Sequence, residues 1–260
     1  MIKPDIIDTT PENIFRLGVC GYKNPATPGF LEKVNWFKTH YAEGLRIKTL
    51  HSQEDGNQGM IEYLPGEFCW RPVNAAGYMF IHCLFSGFKK QYKGHGFASM
   101  LVESCEQDAR EQKKEGVAVV TRKSSFMVGK EIFLKRGYRV VDRAKPDFEL
   151  LVKKFNSNAP DPSFKENLSK QSENYADGLT IIRADQCPYT VKNVNEIRQL
   201  AQEQFNLNTT IKHLKDSKEA QNSPCAFGTF CILYNRKIVA HHPISKTRFA
   251  NIIKSSSVKS

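Results

Sequence analysis

The stretch Gln91-Tyr92-Lys93-Gly94-His95-Gly96-Phe97-Ala98 is the most informative part of this chain. It lies between a predicted strand at Gly77 to Phe85 and a predicted amphipathic helix from Gly96 to about Gln112. Glycine lets the backbone adopt turns in which several N–H groups face one anion. The helix that follows adds the positive end of its dipole. The stretch therefore predicts a pyrophosphate-binding loop, although glycines at such turns also occur for purely geometric reasons.

Strands and helices alternate on both sides of this loop in the first half of the chain. Helices are predicted to begin at Pro11 and at Pro28, because proline is favoured at the first helical position. The helix after Pro28 has apolar residues at helical spacing, including Phe30, Val34 and Phe37. The other predicted elements are strands at residues 45–50, 60–64, 117–121, 138–141 and 148–152 and a short helix at residues 129–135.

The pattern Gln-x-x-Gly-x-Gly at residues 91–96 resembles the acyl-CoA signature of the GNAT superfamily of N-acetyltransferases. The order of elements over residues 1–155 is also similar to that superfamily. The resemblance implies an α/β (α+β) fold with a mixed, mostly antiparallel sheet, flanked by helices and splayed at the strand before the loop. It implies acetyl-CoA as cosubstrate and a primary amine of a small molecule as acceptor, which attacks directly in a ternary complex.

The same resemblance implies a set of cofactor-binding positions. The backbone of Leu84, Phe85 and Ser86 would pair with the pantetheine arm, and the N–H groups from about Tyr92 to Ala98 would hold the pyrophosphate. Lys89, Lys90 and Lys93 either reach the phosphates or form a solvated basic loop. The expected loop residues are Gln91, Tyr92, Lys93, Gly94, His95, Gly96, Phe97 and Ala98.

An amine attacks a thioester only when it is unprotonated, so the reaction needs a general base. Glu62, in a strand among apolar residues, and His82, in the strand before the loop, are the candidates. The alternative for each residue is a purely structural role, which for His82 is that of a core histidine whose hydrogen bonds are satisfied within the protein. A strand N–H near Leu84 would stabilise the oxyanion. Family members often place an acidic tyrosine four residues before the glycine that corresponds to Gly137, and this position is Phe133 here.

A polar segment at residues 156–178 is predicted to link the domain of residues 1–155 to a second domain of residues 179–260. The second domain is predicted to have the order β-α-β-α-β-β-α and resembles the YoaP-like, thioredoxin-like domain that follows some GNAT domains. Cys187 then occupies the place of the redox motif, and a helix N-terminus favours its thiolate. Thr190 replaces the resolving cysteine, so Cys187 is a candidate reactive thiol for which simple helix capping stays open.

The charge of +11 for 260 residues attracts anions, which fits both nucleic acid and the phosphates of coenzyme A. Nucleic-acid binding is not expected, because no stripe of basic and aromatic residues is present. Cys225, Cys231 and His241 are not spaced like a recognised metal site, so no metal is expected.

No apolar run approaches the roughly 20 residues that a membrane helix needs, and the N-terminus lacks the pattern of a signal peptide. Seven cysteines, an odd number, favour a reducing cytoplasm. The sequence leaves the oligomeric state open, and a homodimer is one alternative. The alternative function is a non-catalytic acyl-CoA sensor or adaptor whose second domain binds a partner.

Overall fold

The computed structural model describes residues 4–257, and the chain divides into two compact units. The first unit contains the residues up to Cys69 together with Val73–Lys165. The second unit contains Trp70–Pro72 and the residues from Glu166 onward. The expected linker of residues 156–178 therefore falls partly in each unit, and the expected domain boundaries stay a prediction.

The first unit is built on a seven-stranded sheet. The strands are β1 (Asp5–Thr9), β2 (Arg46–Ser52), β3 (Gly56–Pro65), β4 (Val73–Asn74), β5 (Met79–Ser86), β6 (Gly116–Thr121), β7 (Arg139–Ala144), β8 (Phe148–Lys154) and β9 (Ser163–Phe164), of which β4 and β9 form a separate pair. The order in the seven-stranded sheet is β1-β2-β3-β5-β6-β8-β7; β5 and β6 are parallel and the other neighbours are antiparallel. This arrangement confirms the predicted mixed, mostly antiparallel fold class. The helices are α1 (Ile14–Leu17), α2 (Phe30–His40), α3 (Phe97–Glu111) and α4 (Glu131–Leu134).

The start of the chain differs from the sequence prediction. β1 is an edge strand that the apolar pattern did not indicate, and α1 begins at Ile14 rather than at Pro11. The side chain of Asn13 explains the later start, because its oxygen accepts the N–H of Thr10 at 2.8 Å. Its amide nitrogen donates to the carbonyl of Asp8 at 2.9 Å, so a closed turn precedes the helix.

Helices cover the sheet and bury its apolar residues. α3 packs the side chains of Leu101, Cys105 and Ala109 against one face, where they join a core that includes Ile61 and Ile81. Side chains alternate along a strand, so Glu62, the neighbour of Ile61, faces the other side, where it contacts α2. α2 buries the apolar stripe that its sequence predicted, with Phe30, Val34 and Phe37 at most 2% exposed.

Glu106 on α3 is held by two cations. Its carboxylate accepts from Arg136 at 3.1 Å and from Lys153 at 2.7 Å. Burial raises the pKa of Glu106, but the two cations outweigh burial and hold the pKa below its ordinary value. A carboxyl with a depressed folded-state pKa stabilises the fold above the unfolded pKa, and this stabilisation is lost as the pH falls through the folded value.

Glu106→Gln is therefore expected to lower the free energy of unfolding by about 1–3 kcal/mol at pH 7, and by less at a pH below the folded-state pKa of Glu106. Urea unfolding of wild type and variant at the two pH values measures the difference. Glu103→Gln, on an exposed side chain of the same helix, is the matched control and should change the free energy by under about 0.5 kcal/mol. An equal loss at both pH values would contradict the assigned role of the carboxylate.

The second unit has the element order that its sequence predicted. The elements are β10 (Leu179–Arg183), α5 (Tyr189–Phe205), β11 (Thr209–His213), α6 (Ser217–Gln221), β12 (Phe230–Tyr234), β13 (Lys237–Ala240) and α7 (Lys246–Ser257). The order in its four-stranded sheet is β11-β10-β12-β13; β10 and β11 are parallel, and the other neighbours are antiparallel. The thioredoxin-like description of this unit stays a prediction.

The segment Trp70–Pro72 packs within this second unit. Arg71 donates to the carbonyl of Phe227, and its guanidinium lies 4.6 Å from the centre of the Phe227 ring. Gly228 has φ +75°, and a Cβ there would lie 2.1 Å from the carbonyl oxygen of Trp70. Glycine is required at this position by both the backbone conformation and the close approach. Within residues 4–257, no helix is long and apolar enough to cross a membrane.

Candidate functional site

The candidate site opens where β5 separates from β6. β5 pairs with β3 over its whole length, from Met79 to Ser86, but it pairs with β6 only from Met79 to Ile81. The pairing with β6 thus ends at Ile81, and residues 84–86 have no strand partner on the β6 side among the residues that the structure describes. Leu84, Phe85 and Ser86, the expected pantetheine positions, all lie on this open segment. The structure thus has the splay that the resemblance implies.

A β-bulge beside this opening places the two candidate bases at neighbouring positions of β3 and β5. Glu62 on β3 lies opposite Cys83 on β5, whereas the next residue, Tyr63, lies opposite Ile81. His82 is therefore an extra residue on β5. Bulges increase the local twist and redirect side chains, and they are frequent beside active sites. Glu62 is fully buried and His82 is 6% exposed, so both side chains are shielded from solvent.

Glu62 forms an ion pair with Lys33 of α2, and both side chains are fully buried. The Lys33 ammonium also lies 4.2 Å from the centre of the Trp36 ring, which is a cation–π contact. This contact was not predicted from the sequence. One signal was present, because Lys33 falls inside the buried stripe of α2, between Phe30 and Phe37. A lysine at such a position needs a buried anion as its partner.

The expected pantetheine segment is held close to β3 on one side. A Cβ at Gly59 would lie 2.6 Å from the carbonyl oxygen of Phe85, so only glycine allows this approach. Phe85 and Phe88 are both 37% exposed, and their ring centres are 4.0 Å apart. Leu84 is 8% exposed. The segment therefore presents an aromatic pair and strand backbone at the edge of the opening.

The glycine loop has an open backbone immediately before α3. Gly94 and Gly96 have φ of +80° and +78°, and a Cβ at either position would meet nothing within 4 Å. The N–H groups of Tyr92 and Lys93 already donate to the carbonyls of Lys89 and Lys90, at 3.0 Å each. Of the N–H groups from Tyr92 to Ala98 that were predicted to bind the pyrophosphate, those of residues 94–98 therefore remain candidates.

Asp55, in the turn between β2 and β3, anchors this loop. It accepts hydrogen bonds from the amide of Gln91 and the hydroxyl of Tyr92, at 2.8 Å each, and pairs with the ammonium of Lys89. The hydrogen bond from Lys89 is the main cause of a lowered pKa of Asp55. Gln91 and Lys89 thus act here as supports for the loop. Asp55 was not among the residues predicted from the sequence, because only the fold brings its turn close to the loop.

The basic residues that remain at the loop are Lys90 and Lys93. Both are exposed, and neither forms an ion pair with any part of the chain that the structure describes. An ammonium without a protein counter-charge is available to a phosphate. Phe133, at the expected tyrosine position, is fully buried and packs edge-on against Tyr138, with ring centres 5.3 Å apart. It supplies no proton donor.

The cysteines of the second unit differ in their surroundings. Cys187 precedes α5, and its carbonyl accepts the Thr190 hydroxyl at 2.8 Å. Cys225 is almost fully buried, with its Sγ 3.3 Å from Nδ1 of His241. Burial opposes ionisation of Cys225, but hydrogen bonds with Cys231 and His241 outweigh it and lower the pKa of Cys225 to about 5. The described residues contain no group of three or more His, Cys, Asp or Glu side chains placed to hold a metal ion.

Comparison with known proteins agrees with this geometry. The chain is 32% identical over 225 residues to YoaP of Bacillus subtilis strain 168, which is described as an uncharacterized N-acetyltransferase; the match covers 85% of this chain and 86% of that protein. The chain belongs to the YoaP family of N-acetyltransferases. Residues 209–251 also match the YoaP-like family model. The predicted N-acetyltransferase assignment and the YoaP-like C-terminal segment are therefore confirmed.

Acetyltransferases are also among the solved structures to which the chain is similar. The GNAT-family N-acetyltransferase YhbS of Escherichia coli, in complex with CoA, is 11% identical with a TM-score of 0.41 and is covered over 92% of its chain and 64% of this one. The PaiA N-acetyltransferase of Thermoplasma acidophilum, in complex with coenzyme A, is 16% identical with a TM-score of 0.36 over 69% of its chain and 48% of this one.

Proposed function

We propose that this chain transfers the acetyl group of acetyl-CoA to a primary amine of a small molecule, by direct attack in a ternary complex. The observation that carries the proposal is the separation of β5 from β6 beyond Ile81. The opening at residues 84–86 is followed along the chain by the glycine loop, and Glu62 and His82 lie at neighbouring positions of the bulge beside it. One ligand lying along this path would have its phosphates at the loop and its thioester at the bulge.

The loop and the open strand would hold the coenzyme at two places. The N–H groups of residues 94–98 and the N-terminus of α3 would receive the pyrophosphate, with the ammonium groups of Lys90 and Lys93 nearby in sequence. The backbone of Leu84, Phe85 and Ser86 would pair with the amides of the pantetheine arm, as an added strand does. Each contact uses backbone that no described strand or helix has already paired on that side.

The amine nitrogen would attack the thioester carbon, form the new C–N bond and give up a proton to the protein. Glu62 and His82 are the proposed acceptors of this proton, and they act directly or through water. The N–H of Leu84 would donate to the oxyanion. Collapse of the intermediate breaks the C–S bond and releases coenzyme A thiolate. Because this thiolate is a tolerable leaving group near neutral pH, the absence of an acid at Phe133 does not prevent the reaction.

The first test is acetyl-CoA binding by calorimetry, followed by separation of coenzyme A and acetylated product after incubation with a panel of primary amines. Micromolar binding, together with coenzyme A release that depends on one amine, is the expected result. Binding without release on any amine would instead favour the sensor or adaptor function, which the Phe133 position also fits. No binding would refute both.

Glu62→Gln is expected to lower kcat on the best amine about 100-fold, while the Kd for acetyl-CoA changes less than about 3-fold. Glutamine keeps the shape of the side chain but takes up a proton poorly. His82→Asn, measured in the same way, separates the contributions of the two candidates. Glu103→Gln on the exposed face of α3 is the control for a lost surface charge. An unchanged kcat in Glu62→Gln would remove Glu62 from the mechanism.

A further inference from the structure

The second unit contains a buried cluster of two thiols and one imidazole. Cys225 is 1% exposed and Cys231 is fully buried. The Sγ of Cys225 lies 3.3 Å from Nδ1 of His241 and 3.7 Å from the backbone carbonyl oxygen of the same residue. The backbone N–H of Phe227 donates to the same sulfur at 3.4 Å. One sulfur thus has three polar neighbours in the interior of the unit.

The β12–β13 hairpin brings this cluster together. Cys231 is the second residue of β12, and His241 directly follows β13. Ile232 pairs with Ala240 in this antiparallel hairpin, so the next positions outward, Cys231 and His241, lie across from one another. Cys225 approaches from the loop that leads into β12. The hairpin therefore positions Cys231 and His241, whereas Cys225 is held by its contacts with His241 and with the N–H of Phe227.

The two thiols differ in their ionisation. Hydrogen bonds from Cys231 and His241 outweigh burial and lower the pKa of Cys225 to about 5. Burial and the neighbouring Cys225 raise the pKa of Cys231 well above its ordinary value. At neutral pH the pair therefore consists of one thiolate and one thiol. A thiolate is suited to attack an oxidant, and a neighbouring thiol is suited to close the disulfide afterwards, so Cys225 fits the attacking role and Cys231 the resolving role.

We propose that Cys225 and Cys231 are a redox-active dithiol of the second unit, which reduces a hydroperoxide and closes to an intrachain disulfide with His241 as the proton carrier. All three residues lie within residues 209–251, the segment that matches the YoaP-like family model. The proposal does not depend on acetyl transfer. It assigns the redox chemistry to this cluster and not to Cys187, which lies at the start of α5.

The chemistry has two balanced steps. The Cys225 thiolate attacks the distal oxygen of the hydroperoxide, an S–O bond forms, the O–O bond breaks, and the departing alkoxide or hydroxide takes a proton from His241. The sulfur is now a sulfenic acid. The sulfur of Cys231 then attacks the sulfur of Cys225, its proton passes to the leaving hydroxide through His241, and water departs. Two electrons have moved from the dithiol to the peroxide, and an added dithiol reverses the disulfide.

The test uses the full chain, reduced, freed of reductant and treated with a small excess of hydrogen peroxide. Free thiols are then alkylated under denaturing conditions and identified by mass spectrometry. One tryptic peptide, residues 219–236, contains both cysteines, and chymotrypsin cuts between them after Phe227 and Phe230. Two of the seven cysteines should lose alkylation, joined as a Cys225–Cys231 bridge that dithiothreitol removes.

The unmodified chain also contains its own controls. Cys105 is buried in the core of the first unit, and burial raises its pKa well above the ordinary value, so it should stay fully alkylated. If all seven cysteines remain free under conditions that oxidise a model thiol, or if Cys187 is oxidised in place of Cys225, the proposal is overturned. Because this measurement needs no substitution, a variant that fails to fold cannot obscure it.

Variants separate the roles of the three residues. Cys231→Ser should stop at a sulfenic acid on Cys225 that a dimedone probe captures, whereas Cys225→Ser should give neither disulfide nor adduct. His241→Gln should slow oxidation at pH 7 at least about 10-fold, because the thiolate loses its ionic partner. Circular dichroism before treatment shows whether each variant is folded. An unchanged rate in folded His241→Gln would remove His241 from the site.

The pH dependence of the reaction gives an independent readout. The titratable groups that face Cys225 are Cys231 from β12 and His241 after β13, and Arg71 lies beyond, on the carbonyl of Phe227. The oxidation rate of the wild type should rise through about pH 5 and be level from about pH 6.5 to 8. A rate that keeps rising to about pH 8.5, as for an ordinary thiol, would contradict the proposal.

Discussion

Gly94→Glu is expected to weaken acetyl-CoA binding at least about 100-fold, which corresponds to about 2.7 kcal/mol. A carboxylate at this position would stand among the N–H groups proposed to receive the pyrophosphate. Two unit charges at about 4 Å interact by about 4 kcal/mol at the effective dielectric constant of a protein surface, and here they repel. The Kd from calorimetry measures the effect directly.

The geometry of Gly94 makes this a clean test of charge. A Cβ at Gly94 would meet no protein atom within 4 Å, so a larger side chain fits without a clash in the ligand-free protein. The φ of +80° does add strain for any residue with a Cβ, about 1–2 kcal/mol. This strain destabilises the loop in all substitutions alike. The difference between Gly94→Glu and Gly94→Gln therefore isolates the repulsion between carboxylate and phosphate.

A second control separates the loop from glycines in general. Gly178 in the second unit has φ +98°, and a Cβ there would also meet nothing within 4 Å. Gly178→Glu has the same strain and the same added charge, and it should leave the Kd for acetyl-CoA within about 2-fold. If Gly94→Glu and Gly178→Glu bind acetyl-CoA equally well, the pyrophosphate does not lie at residues 94–98. The proposed path of the coenzyme would then be wrong.

The parts of the fold that were predictable are those with local signals. The helix after Pro28 and the helix after Gly96 have apolar stripes, and a strongly apolar run marks β5. β1 lacked such a signal, because an edge strand needs only one partner and its residues are partly exposed. The start of α1 depends on a hydrogen bond between Asn13 and Thr10, which competes with helix capping and has no periodic pattern.

The site was predictable only where one segment forms it. The glycine loop is a continuous stretch, so its position and its αL glycines follow from the sequence. Asp55 is more than thirty residues from the loop that it anchors, and Lys33 is nearly as far from Glu62. The thiol–imidazole contact between Cys225 and His241 likewise joins two residues that flank the paired strands β12 and β13 and are 16 positions apart. Contacts of this kind depend on strand register, which a single sequence does not specify.

Lys33→Met is expected to lower the free energy of unfolding of the first unit by about 3–5 kcal/mol. Methionine has a similar volume to lysine, so packing around α2 is preserved while the charge is removed. The carboxylate of Glu62, fully buried, would lose the ammonium that balances it. The cation–π contact with Trp36, 4.2 Å away, would be lost as well. Such a loss is a large part of the stability of an ordinary domain.

The double variant Lys33→Met/Glu62→Leu distinguishes an unpaired charge from a packing defect. Removing both charges also removes the desolvation cost of each, so the double variant should regain most of the lost stability. The coupling energy between the two positions should then exceed about 2 kcal/mol. Lys38→Met, on an exposed residue of the same helix, is the matched control and should stay within about 0.5 kcal/mol of wild type.

Hydrogen exchange resolved by peptide is the appropriate measurement, because a chain of two units need not unfold in one step. Protection of the β3 amides reports the first unit, and protection of the β12 amides should not change. If Lys33→Met and Lys38→Met exchange alike, the pair contributes little to stability. Glu62 would then tolerate the loss of its partner. If only Lys33→Met opens β3, the pair ties α2 to the strand that lines the proposed thioester site, and acceptor binding and stability are linked through one contact.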